Sequence, residues 1–331
     1  MPFFDLPADE LRSFRPTVTE PADFDAFWEE TLAESRALAR APRLERVPSP
    51  LTAVEVYDVE FSGFGGEPVR GWFLQPAGAA TPLPAVVEYL GYGGGRGLPH
   101  ERLHWAASGY AYFLMDTRGQ GSVSGTGGAT PDPHGTGPSA PGFLTRGIHD
   151  PAEYYYRRVF TDAALAVDAV RSLDAVDAAR VAVTGTSQGG GIALAAAGLV
   201  DGLVGAMPDV PFLCAFERAV GLTDHDPYGE IVRYLAVHHD AADTVFRTLS
   251  YFDAVNFARR ASAPALVSVA LMDPICPPST VFAAANHHAV GAEVVEYAFN
   301  QHEGGKGAQW LRQVAWLAQR MPEASAAAMA G

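Results

Sequence analysis

Two hydrophobic periods alternate along most of the chain. Short apolar runs rich in β-branched and aromatic residues predict buried strands at residues 85–90, 112–116, 180–184, 204–208, 265–272 and 293–299. Between most of these runs, apolar residues recur at three- and four-residue steps, which predicts helices over residues 154–173, 188–199 and 281–288. Strands that alternate with helices are typical of a mostly parallel sheet with helices on both faces. The pattern therefore predicts an α/β fold.

The two ends of this alternating region have other patterns. Residues 23–40 carry apolar positions near one helical face, so residues 1–50 are predicted to form an N-terminal helical extension. Residues 54–61 and 68–75 alternate like strands around a glycine-containing turn, which predicts antiparallel strands at one edge of the sheet. We find no internal repeat and no long linker, and therefore expect a single domain over residues 1–331.

Two segments interrupt the alternation of strands and helices. Residues 121–145 are rich in Gly, Pro, Ser and Thr, which predicts a long irregular loop. Residues 209–260 have mostly helical patterns and lie between two predicted strands, so we expect a cap-like insertion over the end of the sheet.

Composition and charge exclude several classes of function. The 331 residues include 23 Lys and Arg against 38 Asp and Glu, a net charge of −15, so no basic surface for nucleic acid or an anionic membrane is expected. Two cysteines, Cys214 and Cys276, indicate neither a disulfide framework nor a zinc site. The first thirty residues are acidic and lack the apolar stretch of a signal peptide, which predicts a cytoplasmic, reducing location.

The strongest chemical signal is the pentapeptide Gly185-Thr186-Ser187-Gln188-Gly189, a match to G-x-S-x-G. It follows the apolar residues 181–183 and opens the predicted helix 188–199, the strand–turn–helix context of a nucleophile elbow. Glycines two positions before and after Ser187 remove side chains that would clash in so tight a turn. A serine in a glycine-rich packing turn or a phosphate cradle is the alternative, although G-x-x-x-x-G-K-[ST] is absent. The pattern predicts Ser187 as a nucleophile.

A nucleophilic serine needs a base and an acid, and the α/β-hydrolase fold supplies them in the chain order serine, acid, histidine. His302 lies just beyond the predicted strand 293–299 and precedes a predicted helix at 308–320, which favours it as the base. Asp273 ends the predicted strand 265–272 and is favoured as the acid over Asp253, which has the position of a helix N-cap, and over Asp209. The other candidate bases are interpreted as packing or surface residues: His238, His239, His287 and His288.

The oxyanion of an acyl-transfer reaction needs two N–H donors. One is predicted at Gln188, directly after the nucleophile, and the other at Tyr92 in the loop Gly91-Tyr92-Gly93-Gly94-Gly95 that follows a predicted strand. A small acyl pocket is expected from the ring of Tyr92 together with Phe212, Leu213 and Cys276, although core packing alone would explain the last three residues. These residues together predict a two-step acyl transfer.

Eight sequence blocks resemble a known family. They are RGQG at 118–121, GFLTRGI at 142–148, YYYRRVFTD at 154–162, SQGGG at 187–191, DVPFLC at 209–214, MD at 272–273, ICPPST at 275–280 and HE at 302–303. Their combination, with the N-terminal helix, is similar to the acetyl xylan esterase and cephalosporin-C deacetylase group, carbohydrate esterase family 7. The resemblance covers nearly the whole chain and implies the α/β-hydrolase fold.

The resemblance assigns the family's nucleophile, acid and base to Ser187, Asp273 and His302, and its oxyanion donors to Tyr92 and Gln188. It gives structural roles to four further residues: Arg118, Gly119, Gln120 and Glu303. It also implies removal of acetyl groups from small substrates such as acetylated xylo-oligosaccharides and cephalosporin C, without a metal or organic cofactor. The family's assembly implies a homohexamer, a trimer of dimers whose active sites face a central cavity and exclude polymeric xylan.

Other functions on the same fold are dienelactone hydrolase, thioesterase and peptidase, because the fold alone does not select a substrate. A further alternative is a binding module without catalytic activity. Intact residue types at the nucleophile, acid and base positions disfavour this last alternative.

Overall fold

A computed structural model describes residues 4–80, 82–123, 125, 127–135 and 141–321. Its strands are β1 (Arg43–Arg46), β2 (Val54–Ser62), β3 (Pro68–Pro76), β4 (Leu83–Tyr89), β5 (Ala111–Met115), β6 (Val176–Thr186), β7 (Gly205–Asp209), β8 (Ala265–Ala270) and β9 (Ala292–Tyr297). Its helices are α1 (Ala8–Ser13), α2 (Phe24–Ala37), α3 (His104–Ala107), α4 (Tyr155–Arg171), α5 (Gln188–Leu199), α6 (Phe216–Leu222), α7 (Tyr228–Leu235), α8 (Ala242–Ser250), α9 (Ala254–Ala258), α10 (Pro278–His287) and α11 (Lys306–Ala318).

The described strands form one sheet in the order β1-β2-β3-β5-β4-β6-β7-β8-β9. Strands β1, β2 and β3 are antiparallel to their neighbours, including the β3–β5 pair. The strands from β5 to β9 pair in parallel. The predicted parallel sheet with antiparallel N-terminal edge strands is therefore confirmed.

Both faces of the sheet are covered by helices, as the apolar runs predict. On β4, Val87 and Tyr89 belong to a core shared with α4 and α5. The intervening Val86 points to the opposite face, where it joins a core with Trp105 of α3 and Trp316 of α11. Because side chains alternate across a strand, a continuous apolar run is needed to bury both faces.

The observed elements differ from the predicted ones mainly at polar or short segments. Strand β1 was not predicted, because all four of its residues are exposed and it has no apolar alternation. Residues 4–50 therefore contain this edge strand in addition to α1 and α2. Strand β6 also begins at Val176, earlier than the predicted 180. Its residues 177–180 are exposed or partly exposed, so they lack the apolar run from which a buried strand is predicted.

The two interrupting segments have different structures. Residues 209–260 contain α6, α7, α8 and α9. The described part of residues 121–145 has only a 3₁₀ turn, Phe143–Thr145, and residues 124, 126 and 136–140 lie outside the described residues. Helix α2 packs against the helical segment, where the Trp28 indole N–H donates to the Tyr251 carbonyl at 3.0 Å. None of the helices in the described ranges combines the length and apolar character required to cross a membrane.

Candidate active site

Ser187 lies at the junction of β6 and α5 in a strained backbone conformation, with φ 58° and ψ −118°. Its N–H donates to the carbonyl of Asp209 at the end of β7, at 2.9 Å. Its own carbonyl accepts the N–H groups of Gly191 at 3.0 Å and Phe212 at 2.9 Å. These three hydrogen bonds hold Ser187 in a strained conformation that an isolated turn would not maintain.

The two glycines of the motif have a steric reason. A Cβ atom at Gly189 would lie 2.1 Å from the Tyr89 carbonyl oxygen, and a Cβ atom at Gly185 would lie 2.4 Å from the Gly189 carbonyl oxygen. Both contacts are with backbone, of β4 and of α5, which cannot move aside without disrupting the sheet or the helix. The strand end, the turn and the helix start can therefore approach this closely only with glycine at both positions.

The structure brings Ser187, His302 and Asp273 into one hydrogen-bonded chain. The Nε2 atom of His302 lies 2.9 Å from Ser187 Oγ, and its Nδ1 atom lies 2.9 Å from Asp273 Oδ2. Asp273 is fully buried, and its Oδ1 accepts the N–H groups of Ile275 at 2.8 Å and Cys276 at 3.0 Å. A neutral His302 with its proton on Nδ1 donates to Asp273 and can accept the serine proton at Nε2.

The two N–H groups predicted as oxyanion donors belong to Tyr92 and Gln188. Tyr92 follows the end of β4 and lines the same cavity as Ser187, and Gln188 is the first residue of α5. Among the described residues, neither of these N–H groups has a hydrogen-bond partner. Free N–H groups at a helix N-terminus and a glycine-rich loop can donate to a developing negative oxygen.

The side chain of Tyr92 is held by a contact that sequence reasoning missed. Its hydroxyl donates to Glu230 Oε1 of α7 at 2.5 Å and accepts the N–H of Phe143 at 2.9 Å. Glu230 also accepts the N–H groups of Gly142 and Leu144, each at 3.0 Å. Burial raises the pKa of Glu230, whereas these hydrogen bonds act in the opposite direction. Glu230 thus joins the loop that carries Tyr92, the 3₁₀ turn and α7.

The side chain of Gln188 is buried in an amide network behind the elbow. Its Oε1 accepts from Gln120 Nε2 and from the Tyr156 hydroxyl, both at 2.8 Å, and its Nε2 donates to the Leu90 carbonyl at 3.1 Å. Gln120 Oε1 in turn accepts the N–H of Gly93 at 2.7 Å. The network therefore connects the first turn of α5 with the glycine-rich loop.

Arg118 and Gly119 lie next to this network and outside the lining of the cavity around Ser187. Arg118 is 1% exposed and pairs with both oxygens of Asp162, at 2.6 and 2.8 Å, and with Glu67 at 2.5 Å. Gly119 has φ 68°, and its N–H donates to the Thr130 carbonyl at 2.8 Å. These contacts fasten the loop after β5 to α4 and to the β2–β3 hairpin.

Glu303 follows His302 and is exposed. Its carboxylate accepts from Asn300 Nδ2 at 2.9 Å and from the Gln301 N–H at 3.1 Å. Hydrogen bonds from backbone N–H groups and from Asn300 lower the pKa of Glu303. These contacts close the short loop that carries the histidine.

The other candidate acids make different contacts. Asp253 caps α9, where its Oδ1 accepts the Val255 N–H at 3.0 Å. Asp209 Oδ2 accepts from Gln313 Nε2 at 2.7 Å, and burial raises the pKa of Asp209 to about 7. The remaining candidate histidines lie on or beside helices α7 and α10, away from the serine: His238, His239, His287 and His288.

The cavity that contains Ser187 and His302 has a volume of about 590 Å³, and we call it the active-site cavity. The apolar residues of its lining include Tyr92, Pro227 and Ile275. Three expected pocket residues are buried and do not belong to this lining: Phe212, Leu213 and Cys276. The Phe212 ring packs on the Tyr92 ring with centroids 6.3 Å apart.

One group of potential metal ligands was found among the described residues. The ligand atoms of Asp273, Cys276 and His302 lie within 4.8 Å of one another. Two of the three side chains are engaged in the hydrogen-bonded chain to Ser187. Burial raises the pKa of the Cys276 thiol, which opposes the thiolate form that metals bind. The cluster is therefore better suited to acyl transfer than to metal binding.

Comparisons with known proteins agree with this geometry. The family model "Acetyl xylan esterase (AXE1)" matches residues 1–320. An acetyl xylan esterase from Paenibacillus sp. R4 superposes with a TM-score of 0.88 at 41% identity, covering 95% of this chain and 99% of that chain. Acetyl xylan esterase 1 from Thermoanaerobacterium sp. JW/SL YS485 superposes with a TM-score of 0.87 at 32% identity, covering 96% and 99%.

A curated relative has a similar name. The acetyl esterase Axe7A of Xylanibacter ruminicola is 25% identical over 313 residues, which cover 93% of this chain and 69% of that protein. The family predicted from the sequence blocks is thereby confirmed, as is the α/β-hydrolase fold. The chain belongs to the acetyl xylan esterase family and is a carboxylic-ester hydrolase.

Proposed function

We propose that this protein is a serine esterase that removes acetyl groups from small acetylated substrates through an acyl-enzyme intermediate. Acetylated xylo-oligosaccharides and cephalosporin C are the proposed substrates. The observation that carries the proposal is the pair of 2.9 Å hydrogen bonds that joins Ser187, His302 and Asp273 beside two free backbone N–H groups. This is the arrangement that acyl transfer requires.

In the first step, Ser187 Oγ attacks the acetyl carbonyl carbon while His302 Nε2 takes the serine proton. Asp273 holds the imidazole orientation and stabilises its positive charge. The N–H groups of Tyr92 and Gln188 donate to the oxyanion, and each such donor typically contributes about 3–4 kcal/mol. His302 then gives its proton to the alcohol oxygen, and the alcohol leaves.

In the second step, a water molecule replaces the alcohol. His302 takes a proton from this water as it attacks the acetyl carbonyl of the acyl-enzyme. Collapse of the second tetrahedral intermediate releases acetate and returns the proton to Ser187. The groups needed are the protein side chains, the two N–H donors and water.

The apolar side of the active-site cavity supports preference for a short acyl group. Tyr92, Pro227 and Ile275 face the cavity, the buried Phe212 ring packs on Tyr92, and the buried Cys276 thiol lies close to Asp273 and His302. If the acyl group lies against this wall, a longer chain must displace close-packed residues, and overpacking costs about 1–3 kcal/mol.

The test is hydrolysis of p-nitrophenyl esters from acetate to octanoate by wild type and by Ser187→Ala. We expect acetate to be the best substrate and Ser187→Ala to lower kcat by about 10⁴-fold or more. Ser108→Ala, a change at an exposed serine, is the matched control and should retain full activity. Activity that survives in Ser187→Ala would refute the assigned nucleophile, and amide cleavage that exceeds ester cleavage would support a peptidase instead.

We also propose that the chain is a single domain in which residues 209–260 cap the active site. We further propose that six copies of the chain assemble into a homohexamer, a trimer of dimers. The contact of Glu230 with Tyr92 supports the cap, since α7 belongs to that segment. A cytoplasmic location is consistent with the two free, buried cysteines, Cys214 and Cys276. Size-exclusion chromatography with light scattering tests the assembly, and a monomer would refute it.

A further inference from the structure

A second cavity, of about 380 Å³, adjoins the active-site cavity. Both cavities are lined by Glu88, Arg102 and Thr186. Thr186 directly precedes the nucleophile, so the second cavity begins one residue from the reacting serine. A substrate longer than one small group could therefore extend from Ser187 into this space.

The second cavity lies on the side of the leaving alcohol. His302 must protonate the alcohol oxygen, so the alcohol has to lie next to His302 Nε2 when it departs. The loop that follows His302 lines the second cavity through Glu303, Gly304 and Gly305. Among the residues that line the active-site cavity but not the second cavity are Tyr92 and Ile275, so an acetyl methyl group placed against them would leave the alcohol facing the second cavity.

The lining of the second cavity combines aromatic surface with hydrogen-bonding groups. Trp310 is half-buried, and its ring lies 6.0 Å from the Trp105 ring and 5.2 Å from the His104 ring. Glu303 and Lys306 contribute an exposed carboxylate and an exposed ammonium group. An apolar ring face beside polar groups of both signs matches a neutral ligand with an apolar face and many hydroxyls better than it matches an ion.

The charged residues at the junction of the two cavities are already paired. Arg102 forms an ion pair with Glu88, and the second Glu88 oxygen accepts the Tyr112 hydroxyl at 2.9 Å. A charged ligand group would have to break this pair, whereas a hydroxyl can bond to its outer edge. The junction thus favours a hydroxyl-rich ligand.

We propose that the second cavity is a leaving-group subsite that binds a further sugar ring of an acetylated oligosaccharide, with Trp310 as its stacking surface. The inference rests on the proposed esterase function and adds the preferred substrate length. The enzyme gains transition-state binding from a ring that does not react, which raises kcat/KM for longer substrates.

The test compares kcat/KM for three acetyl esters: p-nitrophenyl acetate, a monoacetylated xylose and a monoacetylated xylotriose. For wild type, we expect kcat/KM to be roughly tenfold higher for the trisaccharide than for the monosaccharide. In Trp310→Ala, the ratio of the trisaccharide value to the p-nitrophenyl acetate value should fall by about the same factor, and Trp310→Phe should restore part of it. A purely structural loss would lower both values together and leave the ratio unchanged.

The control variant is Leu311→Ala, on the same helix. Leu311 is 63% exposed and lies outside the lining of both cavities, so this change should leave the ratio and both values unchanged. Titration of Ser187→Ala with unacetylated xylotriose gives a readout independent of catalysis, since binding beside Trp310 should change tryptophan fluorescence. Adding Trp310→Ala to this variant should weaken the binding of xylotriose.

The outcomes separate the two proposals. Failure of wild type to hydrolyse any of the three esters would overturn the esterase function itself. Hydrolysis of all three without a gain from monosaccharide to trisaccharide, or with an unchanged ratio in Trp310→Ala, would overturn only the subsite.

Discussion

Replacement of Glu230 by glutamine should impair catalysis although Glu230 does not line the active-site cavity. The wild-type carboxylate accepts three hydrogen bonds, from the Tyr92 hydroxyl and from the N–H groups of Gly142 and Leu144. Glutamine has one acceptor oxygen, so its NH₂ group must face at least one of these donors. Glu230 is only 7% exposed, so water cannot easily take the lost place.

The expected magnitude follows from the bonds that are lost. A hydrogen bond to a charged group contributes about 1.5–3 kcal/mol, and 1.36 kcal/mol corresponds to about tenfold in rate. If displacement of Tyr92 transmits this loss to its backbone N–H, kcat should fall about 10- to 150-fold. Complete loss of one oxyanion donor, about 10²–10³-fold, sets the upper limit. KM should change little, because the donor acts mainly on the transition state.

The assay is steady-state hydrolysis of p-nitrophenyl acetate, with urea unfolding of the same samples. Tyr92→Phe removes the same hydroxyl contact and should give a loss in kcat of the same order. Glu217→Gln, at an exposed carboxylate on the neighbouring helix α6, is the matched control and should leave kcat unchanged. If Glu230→Gln lowers the free energy of unfolding but leaves kcat at the wild-type value, the reasoning that links α7 to the oxyanion donor is wrong.

Three further predictions concern stability. Burial raises the pKa of Asp209 to about 7, so between pH 4 and 7 the folded protein binds a proton that the unfolded chain has released. As the pH rises through this range, the free energy of unfolding of wild type should therefore fall by up to about 4 kcal/mol relative to that of Asp209→Asn. Urea unfolding of both proteins at pH 5 and pH 8 measures this change. The same difference in unfolding free energy between wild type and variant at both pH values would contradict the prediction. Gly189→Ala would place Cβ 2.1 Å from the Tyr89 carbonyl and should abolish soluble, active enzyme, whereas Gly221→Ala, with no atom within 4 Å of the new Cβ, should be tolerated in an expression and activity assay. Arg118→Met leaves its partner carboxylates buried without their cation and should lower the free energy of unfolding by about 3–5 kcal/mol, which urea unfolding measures; a loss below about 1 kcal/mol would show that the ion pairs contribute little.

The local parts of the site could be predicted from the sequence because their causes are local. The close approach of strand, turn and helix at Ser187 allows only glycine at 185 and 189, and this leaves a five-residue pattern. Asp273 and His302 lie three and five residues beyond the ends of β8 and β9, so their positions at the carboxyl edge of the sheet could be read from the order of elements. The chain order serine, acid, histidine of the α/β-hydrolase fold then favoured these two residues as the acid and the base.

The parts that could not be predicted depend on long-range contacts. Glu230 meets Tyr92 across 138 positions of sequence, and nothing in the helical pattern of residues 209–260 distinguishes it from an ordinary surface carboxylate. Phe212 and Leu213 are apolar, as a pocket wall would be, but both are buried and do not line the active-site cavity. Apolar character alone does not distinguish residues that line a cavity from residues packed in the core. Likewise, the strand order β3-β5-β4-β6 is a crossover that periodicity cannot reveal.

The two edges of the sheet have a consequence for how copies of this chain can associate. The outer strand β1 is four exposed residues of sequence Arg-Leu-Glu-Arg, and on β9 at the other edge Glu296 is paired with Arg12 and Glu293 with Arg320. Charged side chains at an edge oppose the addition of a strand from another molecule, because the incoming backbone would strip them of water. A ring of subunits would therefore have to be built from helix and loop surfaces, and the sheet would end within each subunit instead of continuing from one to the next.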